Sequence, residues 1–428
     1  MVENFCKSLT EGLFDPQLIG LYGKARLANA RSRYEKAVRA YQSLYGDGVF
    51  TVCSAPGRTE LGGNHTDHNQ GHVLAAAVHL DMLGICAARD DLLVNIFSEG
   101  FGEISADLSS LLPDEREFGT SQSVVRGVAA AIKERKLPIG GFNAYVTSDV
   151  LPGSGLSSSA AFEILIATII KELYCPGGFD AKSAALFGKY AENNFFGKPS
   201  GLMDQMACSL GNIVALDFFD QNDTKDDIVR YSFEEHGYTL YVVDTRQSHQ
   251  NLTAEYSSIP AEMKAVANLM GADVLAEADS SRLVEFVPQI RKMLGDRALL
   301  RAAHFFDEDR RAVEEAAALS ALNLPRYFEL VRESGISSHT LLQNVVCSGS
   351  ILEQSLAVAL YFTSQFLSGD GACRVHGGGF AGTIQSYIPN EKTAEYECLM
   401  ESLFGKGCCI ALSIRDCGGT KLDFRETL

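Results

Sequence analysis

The stretch that most constrains the fold is Pro152-Gly153-Ser154-Gly155-Leu156-Ser157-Ser158-Ser159-Ala160-Ala161. It is a glycine and serine loop between an alternating, strand-like run, Phe142 to Thr147, and an apolar helical segment that ends near Lys171. A strand here hands over to a helix through a tight turn, and the first N–H groups of that helix have no partner within it. The helix dipole favours negative charge at this end, and glycines let the main chain approach a ligand closely, so the junction reads as a phosphate cradle. An ordinary serine-capped helix is the alternative. The rest of the chain decides between them.

Composition narrows the partners. With 428 residues, 46% of them hydrophobic and 21% charged, the chain is globular and long enough for two domains. A formal net charge of −17 argues against a nucleic-acid backbone or an anionic membrane surface as partner. It leaves room for a nucleotide, whose phosphates backbone amides and a metal ion can hold. The 11 cysteines run from Cys6 to Cys417 without a Cys-x-x-Cys pair and read as reduced, buried small hydrophobes. Met1 to Lys7 holds no apolar signal core, and no apolar stretch of about 18 residues occurs, so a soluble, cytoplasmic protein is expected. The sequon Asn251-Leu252-Thr253 is then a chance match.

Hydrophobic periodicity predicts a helix over 17–45, a short strand over 49–53 and a turn-rich loop from Ala55 to Gly71. Apolar character resumes at Val73 to Val78, with strands over 83–88 and 93–97 and a helix over 122–135. Helices are expected over 181–193 and 203–210, a strand over 239–243, and largely helical structure over 254–345. The polar run Asp220 to Asp227 is the expected boundary, giving domains 1–225 and 226–428.

Three segments carry chemistry. Gly57 to Asn69 packs Arg58, Asn64, His65, Asp67 and His68 into one glycine-bent segment. Asp67 can accept sugar hydroxyl protons, and Arg58 can neutralise a phosphoryl group or keep a catalytic carboxylate ionised. Gly201-Leu202-Met203-Asp204-Gln205 sets a carboxylate at the start of an apolar helix, with Glu192 one helix earlier. Asp204 can orient or deprotonate an attacking hydroxyl, and Glu192 with a loop serine can hold a hard cation. Gly377-Gly378-Gly379-Phe380-Ala381-Gly382 matches Gly-x-Gly-x-x-Gly in form only, because no helix follows to receive a pyrophosphate. A turn permitting close backbone approach is the better reading.

In this order and spacing, Gly57 to Gly71, Pro152 to Ala161 and Gly377 to Gly382 resemble the three motifs of the GHMP small-molecule kinases. The first, with its Gly-Arg and His-Thr-Asp, resembles the galactokinase signature, and Gly201 to Gln205, His249 to Tyr256, Arg301 to Arg310 and Ser338-His339 extend the likeness. The resemblance implies a two-lobed α+β fold, a ribosomal-protein-like lobe first and a ferredoxin-like lobe second, with the active site between them. It implies an ATP-dependent, magnesium-requiring sugar 1-kinase whose partners are a small sugar and ATP, as a monomer or weak homo-oligomer. Arg58 and Asp204 match the family's catalytic pair, and Arg58, Asn64, His65, Asp67, Gly201, Asp204 and Tyr256 fall at its sugar site. Pro152, Gly153, Ser154, Gly155, Leu156, Ser157, Ser158, Ser159 and Ala160 match its nucleotide loop, and Ser158 or Ser159 with Glu192 its magnesium ligands.

Several positions depart from the family pattern. Asn64 stands where galactokinases carry a Glu that contacts the sugar at C6, His68 where they carry Tyr, and Ala75 where Pro is common. Val375-His376 replaces Met-Thr, and Ile259-Pro260-Ala261 replaces an Arg pair. An amide at position 64 is expected to relax the reading of C6, which keeps galactose first and galacturonate and L-arabinose as alternatives. A non-catalytic galactose and ATP sensor on the same fold is the rival of another class, and the complete Ser157 to Ala161 run speaks against it.

Overall fold

The computed structural model describes residues 1–150, 155–220, 223–247, 252–347 and 351–423. Pro152, Gly153 and Ser154 of the expected cradle, His249, and Asn251 of the sequon lie outside the described residues.

Two sheets organise the chain. The first has eight strands: β1 (Thr51–Gly62), β2 (His72–Ala88), β3 (Leu93–Ser98), β4 (Gly102–Asp107), β5 (Phe142–Ser148), β6 (Ile213–Asp217), β7 (Lys225–Val229) and, from the far end of the chain, Thr420–Lys421. The second has four, in the order β11-β8-β10-β9: β8 (Tyr238–Asp244), β9 (Ala372–His376), β10 (Thr383–Pro389) and β11 (Cys409–Leu412). Pairing is antiparallel throughout except between β3 and β5. The architecture is α+β in two lobes. Among the described residues no helix is long and apolar enough to cross a membrane.

The expected boundary at 225/226 falls within a strand. It would cut β7 after its first residue, yet β7 pairs along its whole length with β6, from Asp217↔Lys225 to Ile213↔Val229. The chain leaves the first sheet only after Val229, and Thr420–Lys421 returns to pair with β1. Two further expectations are also revised. The helix predicted over 17–45 is divided into Asp15–Tyr22 and Leu27–Tyr45, because Gly23 adopts a φ of 79° between them. The turn-rich loop expected from Ala55 to Gly71 is strand as far as Gly62, since its glycines serve bulges at Pro56/Arg58 and Glu60/Gly62 rather than turns.

The helix Ser158–Tyr174 is apolar all round and buried from Ala160 to Ile170 except Phe162, so it forms the centre of the first lobe, packed on β1 and β2. The long helix Asp296–Ser320 lies against β2 and carries buried His304, Glu308, Arg311 and Glu315 toward the seam between the sheets. There the lobes are stitched by polar contacts. Gln385 donates to Thr59 Oγ1 at 2.8 Å and to the Glu60 carbonyl at 2.9 Å, and Arg374 Nη2 donates to that carbonyl at 3.0 Å. The seam fixes where β1 presents its side chains.

Candidate active site

On β1, Arg58 leaves the strand toward the helix Met203–Leu210, whose first turn carries Asp204. Arg58 Nε donates to Asp204 Oδ1 at 2.8 Å, and Arg58 Nη1 donates to the carbonyl of Gly155. Ser157, at a left-handed φ of 58° just ahead of the helix Ser158–Tyr174, donates to Asp204 Oδ2 at 2.5 Å. Residues 146 positions apart in the chain are thus joined at the mouth of the glycine and serine loop. Burial pushes the Asp204 carboxyl up, but the Arg58 guanidinium and the hydrogen bonds from Arg58 and Ser157 outweigh it and hold the group below the ordinary aspartate value. Among the described residues Arg58 Nη2 has no partner, so one donor of the guanidinium remains for a ligand.

The helix Ser158–Tyr174 has no capping side chain, and its first internal bond runs from Ala161 N–H to Ser157 O. Among the described residues the N–H groups of Ser158, Ser159 and Ala160 therefore have no backbone partner, the arrangement that receives an anion. Beneath the loop, His376 is fully engaged, with Nε2 at 3.0 Å from Thr59 Oγ1 and Nδ1 at 3.0 Å from Thr383 Oγ1. Burial, with Arg58 and Arg374 nearby, drives its pKa down to about 3, so the ring is neutral and adds no charge.

A pocket of about 270 Å³ opens beside Asp204, a size for one monosaccharide rather than a chain. Of the residues singled out by sequence, Arg58, His65, Asp67, Glu192, Gly201, Asp204 and Tyr256 line it. A Cβ at Gly201 would lie 2.8 Å from Asp67 Oδ2, so a larger residue there would displace that carboxylate. His65 holds a φ of 63° and its Nε2 meets the Gly378 carbonyl at 3.0 Å, while Tyr256 donates to the Gly379 carbonyl at 2.8 Å. The glycine turn at 377–379 is thereby one wall of the pocket, as close backbone approach requires. Burial, with His68 beside it, pulls the His65 pKa down to about 4.

Asn64 is the exception. It is fully buried and does not line the pocket, and its amide is consumed by the protein. Nδ2 donates to Glu60 Oε1 at 3.0 Å and to the Gly377 carbonyl at 2.8 Å, and Oδ1 accepts from Asn344 at 3.0 Å and Ser338 at 3.4 Å. Asn64, expected to read the sugar, is placed at the seam, where Glu60, Gly377, Asn344 and Ser338 hold its amide. Ser158 and Ser159 stand on the first helical turn and do not line the pocket that Glu192 lines.

Sequence reasoning missed Glu60, Lys198 and Gln205, all of which line the pocket. Lys198 pairs with Glu192 Oε1 at 2.9 Å, and Gln205 donates to Glu192 Oε2 and Glu163 Oε2, both at 2.9 Å. Burial, with Glu192 alongside, raises the Glu163 carboxyl well above its ordinary value. The signal for Glu60 was its place two residues beyond Arg58 on one strand; Gln205 directly follows Asp204 and Lys198 lies in the preceding turn.

Residues 39–88 match the galactokinase galactose-binding signature, and residues 123–212 match the GHMP kinases N-terminal domain. A galactokinase of Glaesserella parasuis serovar 5 is 30% identical over 373 residues, spanning 86% of this chain and 92% of that protein. The chain belongs to the galactokinase family. A second member, from Streptococcus suis, is 29% identical over 373 residues, 85% of this chain and 91% of the other. The fold agrees: galactokinase of Lactococcus lactis, solved with galactose, superposes with a TM-score of 0.75 at 22% identity, covering 89% of this chain and 98% of that one. Mevalonate kinase of Methanococcus jannaschii reaches 0.61 at 14% identity over 86% of this chain and 99% of its own. As a galactokinase-family chain with GHMP architecture, the protein is a sugar kinase, a phosphotransferase.

Proposed function

We propose that the protein transfers the γ-phosphoryl group of ATP to the anomeric hydroxyl of galactose. The observation that carries this reading is the contact of Asp204 with both Arg58 and Ser157 at the end of a monosaccharide-sized pocket. Asp204 accepts a hydrogen bond from the anomeric hydroxyl and takes its proton as the new P–O bond forms and the bond from the γ-phosphorus to the ADP oxygen breaks. Its lowered pKa makes it a weak base before the reaction, so orientation comes first and proton transfer follows bond formation. Arg58 has two tasks: Nε keeps Asp204 anionic, and the spare Nη2 meets charge on the phosphoryl oxygens. The N–H groups of Ser158, Ser159 and Ala160, at the start of the helix, receive the remaining phosphates. His65, Asp67, Gly201 and Tyr256 hold the sugar.

Magnesium would have to draw together donors that stand apart here, since Ser158 and Ser159 do not line the pocket of Glu192 and the Glu192 oxygens are held by Lys198 and Gln205. Glu192 and the hydroxyl of Ser158 or Ser159 would hold the ion, which supplies neutralisation of phosphate charge when bound. In support, Glu192 brings an anionic oxygen to the pocket, and its partner Lys198 is 60% exposed, able to swing out. The eleven free cysteines favour a reducing compartment, the cytoplasm, where the enzyme works as a monomer or weak homo-oligomer. Assay of ADP release with galactose, galacturonate and L-arabinose tests the reading: galactose should lead, and absence of galactose-dependent ADP release would overturn it.

A further inference from the structure

On β1, Arg58 pairs with Ala77 and Glu60 with Ala75 in unbroken register, so both side chains leave the same face, about 6.6 Å apart along the strand. Arg58 marks the reacting end of the pocket, and Glu60 therefore stands one pyranose ring beyond it. One oxygen of Glu60 is spoken for: Oε1 accepts from Asn64 Nδ2 and from Arg374 Nη2, each at 3.0 Å. The other, Oε2, has no partner among the described residues and is not sealed from solvent, since Glu60 lines the pocket.

The buried seam behind the pocket assigns the charge. Two guanidinium groups, Arg311 and Arg374, face three carboxyls, Glu60, Glu308 and Glu315. Glu308 is bound by Arg311, by Ser334 at 2.6 Å and by the Asn64 N–H at 3.3 Å. Glu315 has no partner on either oxygen, and burial with Glu308 beside it raises its carboxyl well above the ordinary value, so it keeps its proton. The two cations are left to Glu60 and Glu308; burial raises the Glu60 carboxyl above its ordinary value, and the Arg374 guanidinium at 3.0 Å, the Asn64 amide and the nearby Arg58 oppose that rise and favour the anion. In the pocket itself Asp67, Glu192 and Asp204 are further carboxylates, while Arg58 and Lys198 are each already paired.

We propose that Glu60 is the specificity residue by which this pocket selects a neutral sugar, its free Oε2 accepting a hydrogen bond from a hydroxyl remote from the anomeric carbon and repelling a carboxylate there. Asn64 serves it as a positioning residue by clamping Oε1. This inference rests on the pocket being the sugar site, and it sets galacturonate aside as a substrate.

The test compares kcat/KM for galactose, galacturonate and the 2-, 3-, 4- and 6-deoxygalactoses in the parent and in Glu60→Gln, with sugar and ATP KM measured separately. The parent should prefer galactose over galacturonate at least about 100-fold and lose about tenfold or more on one remote deoxy sugar, the loss expected of a charge-assisted hydrogen bond. Glu60→Gln should raise the sugar KM about tenfold, leave the ATP KM within about twofold, and show no added loss on that same deoxy sugar. A parent that phosphorylates galacturonate as well as galactose, or a folded variant in which no deoxy sugar couples to position 60, overturns the inference while the kinase reading stands. A parent inactive on every sugar overturns both. Should Glu60→Gln fail to fold, the parent's uronate ratio and deoxy series still decide.

Discussion

Replacing Asp204 by Asn keeps the side-chain shape and removes the anion. The carboxylate now accepts from Arg58 Nε at 2.8 Å and from Ser157 Oγ at 2.5 Å. An amide has one acceptor oxygen, so its NH2 must face one of these two donors and leave it unpaired. Leaving one charged donor without a partner costs about 1–3 kcal/mol, below the figure for a sealed ion pair because the Asp204 side chain is 31% exposed. Folding should survive. Turnover should not: the group that takes the hydroxyl proton is gone, and a lost general base typically costs about 10²–10⁴ in rate. Measured by coupled ADP release with galactose, Asp204→Asn should lose about 10²–10⁴ in kcat with little change in the ATP KM. A folded variant whose kcat stays within about threefold of the parent refutes the role given to Asp204.

Three further outcomes follow from named contacts. Gly62→Ala should destabilise by about 1–3 kcal/mol in urea unfolding, because the added Cβ would lie 1.7 Å from Glu315 Oε2, which is buried without room to retreat; an unchanged midpoint would mean that the seam yields freely. Glu192→Gln should move the magnesium midpoint of activity upward by about tenfold or more, the effect of losing one charged ligand, and an unchanged titration places the ion elsewhere. His65 and His376 have folded pKa values of about 4 and 3, below the unfolded value of about 6.5, so each contributes stability that is complete above that pH and lost as pH falls toward the folded value. Glu163 and Glu315, with raised values, act in the opposite sense, so site-resolved NMR is the check: neither ring should titrate between about pH 7.5 and 5.5.

What the sequence revealed and what it hid have a common physical source. The loop ahead of Ser158, the carboxylate of Asp204 and the glycine turn at 377–382 are chemistry concentrated in a few consecutive residues, and such segments keep their meaning wherever the fold carries them. Helix Met203–Leu210 and strand Phe142–Ser148 followed from periodicity for the same reason. The direction in which a strand residue points is not local. That Glu60 lines the pocket while Asn64 is buried at the seam depends on pairing with β2, whose register shifts between Glu60 and Gly62, and on contacts with distant residues such as Gly377 and Asn344. Nor does composition announce that Glu315, 253 positions after Gly62, would fill the space its missing Cβ leaves. The return of Thr420–Lys421 to β1 was likewise invisible, since two residues carry no period.

The central claim is tested most directly by identifying the product. Incubation of the protein with galactose, ATP and magnesium, followed by phosphorus NMR and mass spectrometry of the sugar fraction, should give a hexose monophosphate whose phosphorus couples to the anomeric proton, formed in step with ADP and absent with Asp204→Asn. A phosphate coupled to any other sugar proton, or ADP released with no phosphorylated sugar, would contradict the account.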